Sequence, residues 1–149
     1  MICGIDGNRF VAGGMANGAI VVLGASPQAP GEVASGYLVE DVVIRKNEIS
    51  GGFGAISVFG GQARPGTIVR DGRLDGVRII GNDIRDVYDL SIAVYAGCAF
   101  FGGSVSGIEV SNLRIAGNHI ASVGKPSSHI WLVSGAAVGE PGGLAENNV

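Results

Sequence analysis

One six-residue pattern recurs through this chain and constrains its fold more than any other feature. The pattern is an apolar residue, two others, Asn, one residue, then an apolar residue. It reads Ile5-Asp6-Gly7-Asn8-Arg9-Phe10, Ile44-Arg45-Lys46-Asn47-Glu48-Ile49 and Ile79-Ile80-Gly81-Asn82-Asp83-Ile84. It returns as Ile115-Ala116-Gly117-Asn118-His119-Ile120 and Leu144-Ala145-Glu146-Asn147-Asn148-Val149. The asparagines are 39, 35, 36 and 29 residues apart. Upstream, Val39, Leu74 and Val110 align, as do Val42, Val77 and Leu113. Downstream, the segments 18–23, 54–59, 90–95 and 128–133 align, followed by the small residues Gly24, Gly60, Ala96 and Ser134. Repetition at this period belongs to a solenoid, in which no unit can bury its apolar face alone.

Composition says which kind. The 149 residues include 27 Gly, 33 Val plus Ile and only 7 Leu. Gly and β-branched residues are poor in helix interiors and at home in short strands between tight bends. The expectation is an all-β chain of about four coils forming one domain over residues 1–149. Asn8, Asn47, Asn82, Asn118 and Asn147 would stack as a ladder, each amide bonding its neighbour or the backbone of the next coil. Asn also tolerates the left-handed backbone that a two-residue bend needs, and Gly81 and Gly117 beside it reinforce that bend.

The Asn-x-Ile hexamers with their Gly-x-Ile-x-Val strands resemble the right-handed parallel β-helix repeat of the pectate-lyase-like superfamily. The likeness spans nearly the whole chain. It implies that the Asn turn joins the second and third sheets, and that segments 19–23, 55–59, 91–95 and 129–133 form the first sheet. Segments 24–38, 60–73, 96–109 and 134–143 would then be long surface connections. The resemblance also implies an extracellular or cell-surface location and a polysaccharide partner on the outer face of the first sheet.

Strand alternation assigns that face. With Ile20, Ile56, Ile92 and Ile130 inward, Val22, Val58, Val94 and Leu132 point in as well. The outward set holds Ala19, Val21, Leu23, Ala55, Ser57, Phe59, Ser91, Ala93, Tyr95, His129, Trp131 and Val133. Phe59, Tyr95 and Trp131 form an outward aromatic row suited to sugar rings, with Tyr88 and Arg64 as further substrate-binding candidates. The same row would equally suit cover by loops or a subunit interface. The acid–base candidates are Asp86, Asp89, Lys125 and His129, at the turns before the first-sheet strands. Removing a proton beside a sugar carboxylate needs a base and a group that neutralises the carboxylate. Asp at a turn also serves simply to cap local backbone. Arg45, Arg78 and Arg114 fall near equivalent offsets and would repel one another unless acids lie between.

Several functions are excluded or lack a signal. No apolar run approaches the ~20 residues of a spanning helix, and the N-terminal residues do not read as a signal peptide. A net charge of −3 without a basic cluster leaves no nucleic-acid footprint. Cys3 and Cys98 make no disulfide framework. No zinc spacing or calcium nonapeptide occurs, so neither a metal nor a cofactor is expected. The ragged first and last coils predict an internal fragment of a longer solenoid, its ends covered by flanking coils or by a homo-oligomer partner. Two functions remain: a carbohydrate-active lyase, hydrolase or epimerase, and a non-catalytic tailspike-like or adhesin-like shaft.

Overall fold

The computed structural model describes residues 3–11, 18–121, 129–138 and 144–146. Every described element is a strand, and every strand pairing is parallel. The chain winds as a parallel β-solenoid of about three turns, fewer than the four coils expected. Each complete turn contributes five strands, to sheets I–V in order along the coil. Sheet I holds Leu38–Glu40, Arg73–Asp75 and Glu109–Ser111. Sheet II holds Cys3–Asp6, Val42–Arg45, Arg78–Ile80 and Arg114–Ala116. Sheet III holds Arg9–Val11, Glu48–Ser50, Asp83–Arg85 and His119–Ala121. Sheet IV, the first sheet of the family likeness, holds Ile20–Leu23, Gly54–Ala63, Leu90–Phe100 and Ile130–Val138. Sheet V holds Val33–Ser35, Ile68–Arg70, Ser104–Ser106 and Leu144–Glu146.

Of the long surface connections expected after residues 23, 59, 95 and 133, those after 59 and 95 are more than half strand, 24–38 holds Val33–Ser35 and the start of Leu38–Glu40, and 139–143 lie outside the described residues. Sheet IV runs on through Ala63, Phe100 and Val138, and sheet V follows. Pro and Gly suggested loops, but stacking neighbours supply the ladder hydrogen bonds that make these segments regular. Glu32 O, for example, accepts from Ile68 N at 3.0 Å, and Thr67 O accepts from Ser104 N at 3.0 Å.

Identical residues stack inside. Ile5, Ile44, Ile79 and Ile115 are in register, as are Phe10, Ile49, Ile84 and Ile120. The middle members are fully buried, and such a side chain contributes about 1.5–3 kcal/mol by leaving water. Sheets I–III and the first half of sheet IV enclose the main core. A second core, built on Ala63, Val69, Ala99, Val105 and Ile108, lies between the second half of sheet IV and sheet V. Tyr37 packs against both. Its hydroxyl donates to Gly60 O at 2.7 Å, and burial raises its pKa above the ordinary tyrosine value. Tyr37, Gly72 and Ile108 occupy equivalent positions, and the Tyr37 ring fills the space where Gly72 has no side chain.

The Asn ladder forms as expected for Asn8, Asn47, Asn82 and Asn118, while Asn147 lies outside the described residues. The bend is made differently. Left-handed φ belongs to the residue before each Asn: Gly7 (66°), Lys46 (53°), Gly81 (63°) and Gly117 (61°). Asn is selected for its side chain. Asn82 Oδ1 accepts from Asn47 N at 3.0 Å and from Asn47 Nδ2 at 2.9 Å. Asn82 Nδ2 donates to Ile44 O at 3.1 Å and to Asn118 Oδ1 at 2.9 Å. Every hydrogen-bonding valence of this buried amide is thus used, as burial of a polar group demands.

Candidate functional site

The long strands of sheet IV bend where Gly60 meets Gly61, and that bend shapes the outer face. Ile56 and Val58 point into the main core, while Ala63 points into the second. Two consecutive inward positions are needed to shift the alternation. A Cβ at Gly60 would come within 2.7 Å of Ile108 Cγ2, and one at Gly61 within 2.7 Å of Val69 Cγ1, so both positions face inward and both lack room. Beyond the bend, Gln62 and Arg64 face out. A groove of about 570 Å³ results, within the usual range for ligand sites. Leu23, Ser57, Phe59 and Tyr95 lie along it, Phe53 and Asp89 at one end, and Gln62, Cys98, Arg64 and Phe100 at the other.

The aromatic row exists, but its faces are mostly occupied. Phe59 and Tyr95 are cross-strand partners with ring centroids 4.9 Å apart and planes 5° from parallel. Parallel rings this close must overlap face to face with an offset. Tyr95 then meets Trp131 edge-on at 6.1 Å and 64°. Phe59 and Tyr95 therefore offer mainly edges to the groove, and Trp131, 48% exposed beyond it, has more free surface. Burial first, then electrostatic interaction with the neighbouring Cys98 and Asp89, raises the Tyr95 pKa. Burial likewise pushes the Cys98 thiol up to about 11, so it is a neutral thiol at pH 7.

The outward set needs correction in places. Ala55 is fully buried in the main core, and Ser91 and Ala93 are buried by their neighbours. Ile130 and Leu132 keep register with Ile92 and Val94, yet are 48% and 59% exposed. The described residues place no coil on their far side.

Among the described residues, no ion pair joins the acid–base candidates Asp86 and Asp89 to His129. Lys125 lies outside those residues. Asp86 is exposed and adopts left-handed φ (55°), its N–H bonding Ala121 O at 2.9 Å as a corner residue. Asp89 lines the groove, its N–H bonding Phe53 O at 3.0 Å. His129 is exposed beside Ser91 in the register, and its carbonyl accepts from Ile92 N at 2.9 Å. The buried Ser91 Oγ has no hydrogen-bond partner, so the His129 ring does not engage it. Of the other sugar-binding candidates, Tyr88 stacks on Phe53 at 6.1 Å at the groove's rim, and Arg64 lines the far end.

Gln62, Cys98 and Phe100 are missed by alternation from the first half of the strand alone, and Phe53, in phase with Phe59, lies just before the segment 55–59. A signal for the second half was present: Gly61-Gln62-Ala63, Gly97-Cys98-Ala99 and Gly135-Ala136-Ala137 repeat in register.

Charges elsewhere are mostly paired. Arg78 and Arg114 are in register, but Arg45 sits opposite Ile80. Arg45 bonds Asp6 at 2.8 Å and Arg78 bonds Asp41 at 3.3 Å, which breaks up the expected repulsive row. On sheet III, Asp83 accepts both Arg85 and His119, and these bonds lower its pKa to about 2. Among the described residues no three His, Cys, Asp or Glu side chains converge on a metal position. None of them forms a helix long and apolar enough to cross a membrane.

The architecture defines the class: a parallel β-solenoid with an Asn ladder and an open groove on its longest sheet. Comparison with protein-family models, with curated proteins and with solved structures gives no significant match.

Proposed function

We propose that this protein is a carbohydrate-binding β-solenoid of the right-handed, pectate-lyase-like kind, acting at a cell surface or outside the cell. It would hold a polysaccharide segment in the sheet IV groove and against the exposed Trp131 on the strand beside it. The observation that carries the reading is the groove itself, an open trough with aromatic edges, apolar floor and polar groups at both ends. Binding is favoured over cleavage. Hydrolysis calls for two carboxylates within about 10 Å across the scissile bond, and Asp89 is the one carboxylate among the described lining residues. Lyase or epimerase chemistry with Asp89 as base would need a neutralising cation close by, and Arg64 lies at the opposite end.

The test is calorimetry against a panel of soluble polysaccharides, with Trp131→Ala as the variant. Loss of a stacking contact predicts roughly tenfold weaker binding. Unchanged affinity would remove Trp131 from the site, and release of reducing ends or unsaturated products would restore the enzyme reading. The second reading, a non-catalytic shaft whose role is structural, is favoured by the occupied faces of Phe59 and Tyr95, which serve coil-to-coil stacking. Absence of binding by the folded protein to every glycan would select it.

A further inference from the structure

We infer that the groove lays its ligand along the strands, and that it selects an oligosaccharide with one anionic group at the Arg64 end over a polyanion. This rests on the sugar-binding reading above.

Two observations carry it. The first is shape. The lining residues come from three adjacent strands of sheet IV, which span about 10 Å across at the usual strand spacing. Along the strands the lining runs from Phe53 to Arg64 and from Asp89 to Phe100. Eleven residue steps cover up to about 36 Å, which the bend at Gly60 shortens. The long axis is therefore parallel to the strands.

The second is charge. Arg9, Arg45, Arg70, Arg73, Arg78 and Arg85 each have a carboxylate within ion-pair distance. Arg64 has none among the described residues; only its backbone is engaged, with Thr67. Asp89 likewise has no cationic partner among them. The groove thus holds one unpaired cation at one end and one unpaired anion at the other. A guanidinium grips a carboxylate or sulfate bidentately. Asp89 accepts sugar hydroxyls but repels a second carboxylate. A chain charged at every residue meets attraction and repulsion together, while a chain charged at one end meets attraction alone.

Four gluco-hexaoses test this by calorimetry: one neutral, two carrying a single uronic acid at one end or the other, and one with uronic acid throughout. The singly charged probe in one orientation should bind about tenfold tighter than the neutral one. The fully charged probe should bind more weakly than the singly charged one. Arg64→Gln should abolish the preference for the singly charged probe over the neutral one. Asp89→Asn should raise affinity for the fully charged probe. Tightest binding by the fully charged probe, or a preference that survives Arg64→Gln, overturns the inference while the sugar site stands. No binding of any probe by a folded protein that binds another glycan of the panel overturns the inference alone, and no binding of any probe or of any glycan overturns both.

Discussion

Replacing Asn82 by Ala tests whether the ladder, rather than the bend, is what Asn provides. Asn82 is buried and makes four side-chain hydrogen bonds, two accepted and two donated. Truncation leaves the buried Asn47 N–H without an acceptor, at about 1–3 kcal/mol, and forfeits three further bonds at about 0.5–1.5 kcal/mol each. Partial entry of water into the space brings the expected loss to about 3–5 kcal/mol. Asn8→Ala is the internal reference. Asn8 is exposed, and among the described residues its amide makes two bonds, to Asp6 O at 3.1 Å and Asn47 Oδ1 at 3.3 Å, so about 1 kcal/mol or less is expected. Asn82→Gly separates the two roles. Were Asn present for its backbone, Gly would replace it without loss; because Gly81 carries the left-handed φ, Asn82→Gly should be at least as damaging as Ala. Conversely, Lys46→Gly relieves a left-handed lysine (φ 53°) and should stabilise by up to about 1 kcal/mol. Equilibrium urea unfolding, with refolding checked for reversibility, reads all four variants. An Asn82→Ala loss below about 1 kcal/mol, or an Asn82→Gly variant as stable as the parent, would refute the ladder argument.

Two further outcomes follow from packing and charge. Gly72→Val drives a side chain into the Tyr37 ring and should lower the thermal midpoint sharply; adding Tyr37→Ala should recover part of the loss, and no recovery would mean that the two positions do not share one space. The bonds from Arg85 and His119 hold the Asp83 carboxyl down to about 2, so its stabilising contribution is present above the usual carboxylate range and is lost as pH falls through that value. Thermal melts between pH 5 and 2 should therefore show a shallower acid decline for Asp83→Asn; parallel declines would sink the assignment.

Much of the fold was legible because a solenoid writes each structural role several times. Ile44 and Ile79, or Asn47 and Asn82, carry the same residue because the same environment recurs one coil further on. The functional face was harder to read. Alternation correctly assigned Ile56, Val58 and Phe59, then failed beyond Gly60, where two inward positions in succession change the phase. Five strands per turn also replaced three, since hydrogen bonding between coils makes strands of Pro- and Gly-rich stretches whose local propensity suggests loops.

Sequence alone determined the period, the stacked apolar interior and the Asn ladder, all of which depend on like meeting like at a constant offset. Tertiary structure decided what depends on direction and distance. The bend of sheet IV turned Gln62 and Arg64 into the groove, stacking of Phe59 on Tyr95 used the ring faces that a sugar would need, and separation along the strand placed Asp89 and Arg64 at opposite ends. No residue spacing encodes those outcomes, because they arise from side chains of neighbouring coils competing for the same space.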